Sequence, residues 1–173
     1  ALCDMAAARP QPIPVFAEMS SINPVVLLPE ALKQRGAQIA KDLGDSVMLG
    51  AGQFCTSPGL VLGIASPEFS AFVDALGQFF SAQPAHTLLN AGGLKSYVKG
   101  VSHLASVDGI RHIAGSPQQG SQANPQLFQA DVSLLINGAD VLQEEVFGPT
   151  TLVIEVADKA QLLQALHSLR GQL

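Results

Sequence analysis

Three segments of this sequence place a thiol and carboxylates where residues of those types can do chemistry. Cys55 lies in Gly50-Ala51-Gly52-Gln53-Phe54-Cys55-Thr56-Ser57-Pro58-Gly59, between the end of a helical pattern and a continuous apolar run. A nucleophilic thiol needs room for its substrate and backbone N–H groups near the developing oxyanion, and a glycine-flanked turn offers both. Glu18 ends the apolar stretch Val15-Phe16-Ala17 and precedes Met19-Ser20-Ser21-Ile22-Asn23-Pro24. A carboxylate in apolar surroundings is costly to bury unless paired or protonated, and such a site is where a general base can arise. Glu144 and Glu145 precede Val146-Phe147-Gly148-Pro149, the pattern of a strand end and a tight turn. Taken singly, each has a blander reading. A lone cysteine is more often a small buried hydrophobe, Glu18 a residue on a strand edge, and the two acids a solvated loop.

The elements that must hold these residues follow from hydrophobic period and punctuation. Ala1–Arg9 reads as a helix without an N-cap, broken by Pro10, Pro12 and Pro14. Val15–Glu18 and Pro24–Leu28 read as strands or extended segments, the second with the continuous apolar character of a strand buried on both faces. A helix starting at Glu30 carries Leu32, Ile39, Leu43 and Val47 on one side and runs out near Gly50. Leu60–Ala65 reads as a buried strand, and Ser66-Pro67 as a capped start for a helix bearing Phe69, Phe72, Val73, Leu76, Phe79 and Phe80. Leu94, Tyr97, Val98, Val101 and Leu104 mark a further helix, and Ile110–Ala114 a strand. Residues 115–125 read as a polar surface loop. Leu127–Val132, Leu134–Ile136 and Thr151–Val156 are strand-like, and Lys159–Leu169 is helical. Buried strands alternating with amphipathic helices predict an α/β fold with a mainly parallel sheet.

Composition narrows the partners. The chain has 173 residues, enough for one domain or one large piece of a longer protein, and 47% of them are apolar against 13% charged. That excess of apolar residues fits a surface meant to meet another domain or subunit. The net charge is −5, the basic residues are scattered and tryptophan is absent, so no nucleic-acid partner is expected. No apolar run approaches the roughly 18 residues of a membrane span, and the first residues do not form a signal peptide. Cys3 and Cys55 have unlike settings, so no disulfide is expected, the compartment is read as cytoplasmic and Cys3 is read as structural. His86, His103, His112 and His167 show no ligand spacing, so no metal site is expected.

Together the three segments resemble the aldehyde dehydrogenase superfamily. GQFCTSPG is similar to the family's active-site cysteine pattern, FAEMSSINP to its upstream glutamate motif and EEVFGP to its downstream acidic–Phe–Gly–Pro motif, in the family's order. The resemblance covers nearly the whole chain. It implies the three-layer α/β/α catalytic domain of that family over residues 1–173. It also implies Cys55 as the nucleophile, Glu18 as the general base for hydrolysis, and Glu145, Phe147 and Met19 as cofactor-binding residues. Glu145 would hydrogen-bond the nicotinamide ribose, Phe147 would pack beside the nicotinamide and the Met19 backbone would approach its carboxamide. Ser20-Ser21 stands where the family more commonly has two glycines. That wording resembles a bacterial subgroup of α-ketoglutaric semialdehyde and NADP-dependent fatty aldehyde dehydrogenases.

The implied activity is oxidation of an aldehyde to a carboxylic acid by NADP or NAD, through a thiohemiacetal and a thioester on Cys55. The family's cofactor-binding domain and its final oligomerisation segment have no counterpart here, and no glycine-rich fingerprint follows a strand. The expectation is therefore a catalytic domain cut from a longer, oligomeric protein, with little oxidation activity alone. Two other readings remain. In one, Cys55 serves a cofactor-independent thioester or ester hydrolase; in the other, the chain is a non-catalytic interaction module with Cys55 in its core.

Overall fold

A computed structural model describes residues 1–17, 19–116 and 120–171. Among the described residues, five strands form one sheet: β1 (Pro24–Leu27), β2 (Leu60–Ile64), β3 (Ile110–Ala114), β4 (Gln126–Ala130) and β5 (Thr150–Val156). Their spatial order is β1-β2-β5-β4-β3. All neighbours are parallel except β3 and β4, which pair antiparallel, so the sheet is mainly parallel as the alternating pattern predicted.

The helices are α1 (Leu2–Ala7), α2 (Pro29–Met48), α3 (Pro67–Ala82), α4 (Ala91–Ser106), α5 (Val132–Ile136) and α6 (Lys159–His167). On one face of the sheet, Leu32, Leu43 and Val47 of α2 and Phe69, Phe72, Leu76 and Phe80 of α3 pack on Val61, Leu127 and Val153. On the other, Tyr97, Val101 and Leu104 of α4 and Leu162 and Ala165 of α6 pack on Leu60, Leu62, Leu152 and Ile154. Successive residues of a strand point to opposite faces. Leu60 and Leu62 therefore enter one core while Val61 enters the other, which is why these strands read as unbroken apolar runs. The result is a three-layer α/β/α arrangement.

Local signals set the helix starts. The Ser66 hydroxyl accepts from the Phe69 N–H at 3.0 Å, and Pro67 occupies the first turn. Asn90 caps α4 through the Gly93 N–H at 2.8 Å. Asp158 caps α6 through the Gln161 N–H at 2.9 Å, while the Gln161 side chain accepts from the Ala157 N–H, one residue before the cap, at 2.7 Å.

Three expectations are corrected. Val15–Ala17 is not a strand: the segment is exposed, Phe16 is 93% accessible, and the alternating prolines ahead of it remove ladder donors. Leu134–Ile136 belongs to helix α5, because the chain turns at Asp131 and the Leu134 N–H returns to the Asp131 carbonyl at 3.1 Å. A short apolar run does not distinguish the two states by period alone. The loop before β4 ends buried, not at the surface: Ala123 pairs with His86, and Asn124 and Pro125 are covered.

Candidate active site

The three motifs meet because each immediately precedes a parallel strand. Ser21-Ile22-Asn23 leads into β1, Ser57-Pro58-Gly59 into β2 and Phe147-Gly148-Pro149 into β5. Pro24 is in register with Leu60, and Leu60 with Leu152, so the segments before them lie side by side at one edge of the sheet. The ladder continues past the strands: the Gly59 N–H donates to the Ile22 carbonyl at 2.8 Å and the Leu152 N–H to the Gly59 carbonyl at 3.1 Å. This is the N-terminal edge of the strands, opposite to the carboxyl end where open α/β sheets commonly bind ligands.

Cys55 is exposed and free. Its turn follows Leu49–Gly52, in which Gly50, Ala51 and Gly52 all have positive φ. Exposure removes the reading of Cys55 as a core residue. Cys3 is exposed on α1 as well, so its reading as a structural residue is corrected; a six-residue helix with only Ala6 buried has no core to place it in.

Asn23, which sequence reasoning did not single out, ties the first motif to the second. It holds a left-handed backbone, φ 42°, a region asparagine tolerates better than most residues. Its amide nitrogen donates to the Cys55 carbonyl at 2.7 Å and to the Ser57 carbonyl at 3.0 Å. The Ser21 hydroxyl donates to the Asn23 amide oxygen at 3.1 Å and accepts from the Asn23 N–H at 3.3 Å. Gln53 anchors the other side of the turn, its side-chain oxygen accepting from the Leu89 N–H at 3.0 Å. An Asn-Pro pair ahead of an apolar strand is the sequence signal that could have found Asn23.

Glu145 joins the first motif to the third. Burial pushes its carboxyl up, while the Ser20 hydroxyl and the Ser21 backbone N–H pull the other way by favouring the ionised form. Ser21, Gly52, Ser57, Glu144, Glu145 and Phe147 line one small cleft of about 30 Å³, the space of about one water. Phe147 and Met19 stand at the surface, 42% and 83% accessible. Glu18 lies outside the described residues. Among the described residues there is no group of His, Cys, Asp and Glu that could hold a metal. No helix among them is long and apolar enough to cross a membrane.

The sheet order and the helices on both faces give a fold shared with solved aldehyde dehydrogenases. No protein-family model matches the chain. Over its full length it is 51% identical to alpha-ketoglutaric semialdehyde dehydrogenase of Acinetobacter baylyi, of which it spans 33%. It is 42% identical to alpha-ketoglutaric semialdehyde dehydrogenase 2 of Azospirillum brasilense, again spanning 33% of that protein. Among solved structures, an NAD-dependent benzaldehyde dehydrogenase from Corynebacterium glutamicum matches 96% of this chain over 36% of its own, with a TM-score of 0.77 at 19% identity. A gamma-glutamyl-gamma-aminobutyraldehyde dehydrogenase from Burkholderia cenocepacia matches 88% of it over 32% of its own, with a TM-score of 0.73 at 17% identity. The chain is thus similar over its whole length to part of these aldehyde dehydrogenases, and it spans about a third of the length of the curated relatives it matches.

Proposed function

We propose that this chain supplies the thiol-bearing half of an NAD(P)-dependent aldehyde dehydrogenase that oxidises an aldehyde to a carboxylic acid. The observation that carries the reading is the exposed Cys55 thiol on a turn bonded to the glutamate motif through Asn23. In this scheme Cys55 adds to the aldehyde carbon, Glu18 deprotonates the water that later hydrolyses the thioester, and backbone N–H groups of the cysteine turn receive the oxyanion. When bound, the nicotinamide cofactor supplies the hydride acceptor.

The residues toward that cofactor suit one edge of it. A half-buried carboxylate (Glu145) fits a ribose hydroxyl, an exposed aromatic ring (Phe147) fits the planar nicotinamide, and the backbone of exposed Met19 fits its carboxamide. The cleft is far too small to enclose a nicotinamide, so the remainder of the cofactor site comes from outside this chain. The nucleotide in this scheme is NADP or NAD. The named activity of the curated relatives favours a semialdehyde bearing a second carboxyl group as substrate, with a fatty aldehyde as the other candidate. The cytoplasm and a homo-oligomeric parent complete the proposal.

Competitive alkylation with iodoacetamide and peptide mapping test the nucleophile. Cys55 should react about tenfold faster than Cys3, the range over which microenvironment separates activated from ordinary thiols. Equal rates, or an inert Cys55, would remove Cys55 from the catalytic role.

A further inference from the structure

The two hydrogen bonds from Asn23 to the cysteine turn have a consequence for where an oxyanion can be held. Both accept at carbonyls, Cys55 at 2.7 Å and Ser57 at 3.0 Å, and both leave from the same side-chain nitrogen. No peptide bond in the described chain is cis. In a trans peptide the carbonyl of one residue and the N–H of the next point in opposite directions across one rigid plane. Fixing the Cys55 carbonyl on Asn23 therefore turns the Thr56 N–H away from Asn23. Thr56 is exposed and Cys55 beside it is exposed, and the Thr56 N–H has no acceptor among the described residues. The side-chain amide that imposes this direction accepts from the Ser21 hydroxyl, which in turn accepts from the Asn23 backbone N–H, and Asn23 holds a left-handed backbone.

We propose that Asn23 is a positioning residue that, by gripping the Cys55 carbonyl, presents the Thr56 N–H as a hydrogen-bond donor to the oxyanion formed when Cys55 adds to an aldehyde. The inference rests on the reading of Cys55 as nucleophile. In the step concerned, a bond forms between Cys55 Sγ and the aldehyde carbon while the carbonyl π pair moves to oxygen. The thiol proton ends on that oxygen, giving a thiohemiacetal; the addition is reversible and needs no oxidant. Ser57 does not offer a second donor by the same route, because the next residue is Pro58, which has no N–H. The Ser57 bond instead holds the far end of the turn.

The test uses propanal as the aldehyde and Cys3 as a reference thiol in the same chain. Propanal protects a thiol from iodoacetamide to the extent that thiohemiacetal forms, and peptide mapping reads each cysteine separately. In the unaltered protein Cys55 should be half-protected at a lower propanal concentration than Cys3. Asn23→Gly keeps the left-handed backbone and removes the amide, and Asn23→Asp keeps the shape and removes both donor hydrogens. Each should raise the half-protecting concentration for Cys55 about fivefold, the worth of one hydrogen bond, with Cys3 unmoved and cooperative melting retained. If both variants keep the advantage of Cys55, or lose it only together with cooperative melting, the positioning role is overturned. If Cys55 has no advantage in the unaltered protein, the nucleophile reading itself is what fails.

Discussion

Gly52 and Gly148 lie backbone against backbone, the first in the cysteine motif and the second in the acidic–Phe–Gly–Pro motif. A Cβ on Gly52 would strike the carbonyl group of Gly148 and come within 2.5 Å of the Pro149 nitrogen. Gly52 also has φ 70°, a conformation that disfavours any side chain. Gly52→Ala must therefore part the two motifs. It should lower stability by about 2 kcal/mol or more, an overpacking cost with backbone strain added, read as a lower melting temperature. Iodoacetamide labelling of Cys55 should change with it; a variant that melts and labels like the parent would show that the contact does not hold the turn.

Behind Gly148 stands Tyr97. Its ring occupies the place a Gly148 side chain would need, and its hydroxyl donates to the Asn124 carbonyl at 2.6 Å, with the Pro149 carbonyl at 3.3 Å. Tyr97→Phe removes one donor from carbonyls that each keep a bond from Gln126, and should cost about 0.5–1.5 kcal/mol, the net worth of a hydrogen bond. A denaturant midpoint shift of the corresponding size is the check, and no shift would mean that water replaces the hydroxyl.

Burial pushes the Tyr97 phenol far up, so the folded chain keeps that proton after the unfolded chain has released it. Stability from this group is fully present below the ordinary tyrosine value of about 10 and falls as pH rises beyond it. The gap in melting temperature between the parent and Tyr97→Phe should narrow above that pH. A gap that stays constant to the alkaline limit would contradict the assignment.

Glu145 gives the corresponding prediction in acid. Its folded carboxyl is raised, chiefly by burial, so folding favours the neutral form. The stability this contributes is complete below the ordinary glutamate value and is lost as pH rises through the folded value. Glu145→Gln stays neutral while keeping an acceptor for Ser20 and Ser21. It should melt above the parent at pH 7, with the difference shrinking as pH falls through the folded value and gone below the ordinary glutamate value. A variant less stable at every pH would mean that the serine contacts outweigh desolvation.

The proposed packing of Phe147 on the cofactor can be tested apart from stability. With its ring 42% accessible, Phe147→Ala should shift stability by only about 0.5 kcal/mol. In the full-length protein it should raise KM for the nicotinamide nucleotide with little change in KM for the aldehyde. The reverse pattern would assign the ring to the aldehyde side.

Much of the fold was legible from one-dimensional signals. Ser66-Pro67 announced α3, the phenylalanines recurring along it marked its buried face, and the unbroken apolar run at Leu60 identified a buried strand. These readings succeed because capping and side-chain period are properties of neighbouring residues. They failed where a run was short or its partner remote: Leu134–Ile136 became a helix, and Val15–Ala17 found no strand to pair with.

The sequence by itself supplied the three motifs and their chemistry, because residue type decides what a thiol, a carboxylate or an aromatic ring can do. Only the tertiary structure decided that they meet. Strand register brings Asn23, Gly59 and Pro149 to one edge of the sheet although long stretches of chain separate them. Tertiary contact also decided that Asn23 grips the Cys55 carbonyl and that Gly52 can have no side chain beside Gly148. Hydrogen bonds and close packing act over a few ångströms in space, and a linear pattern carries no record of which distant residues the sheet will set that close.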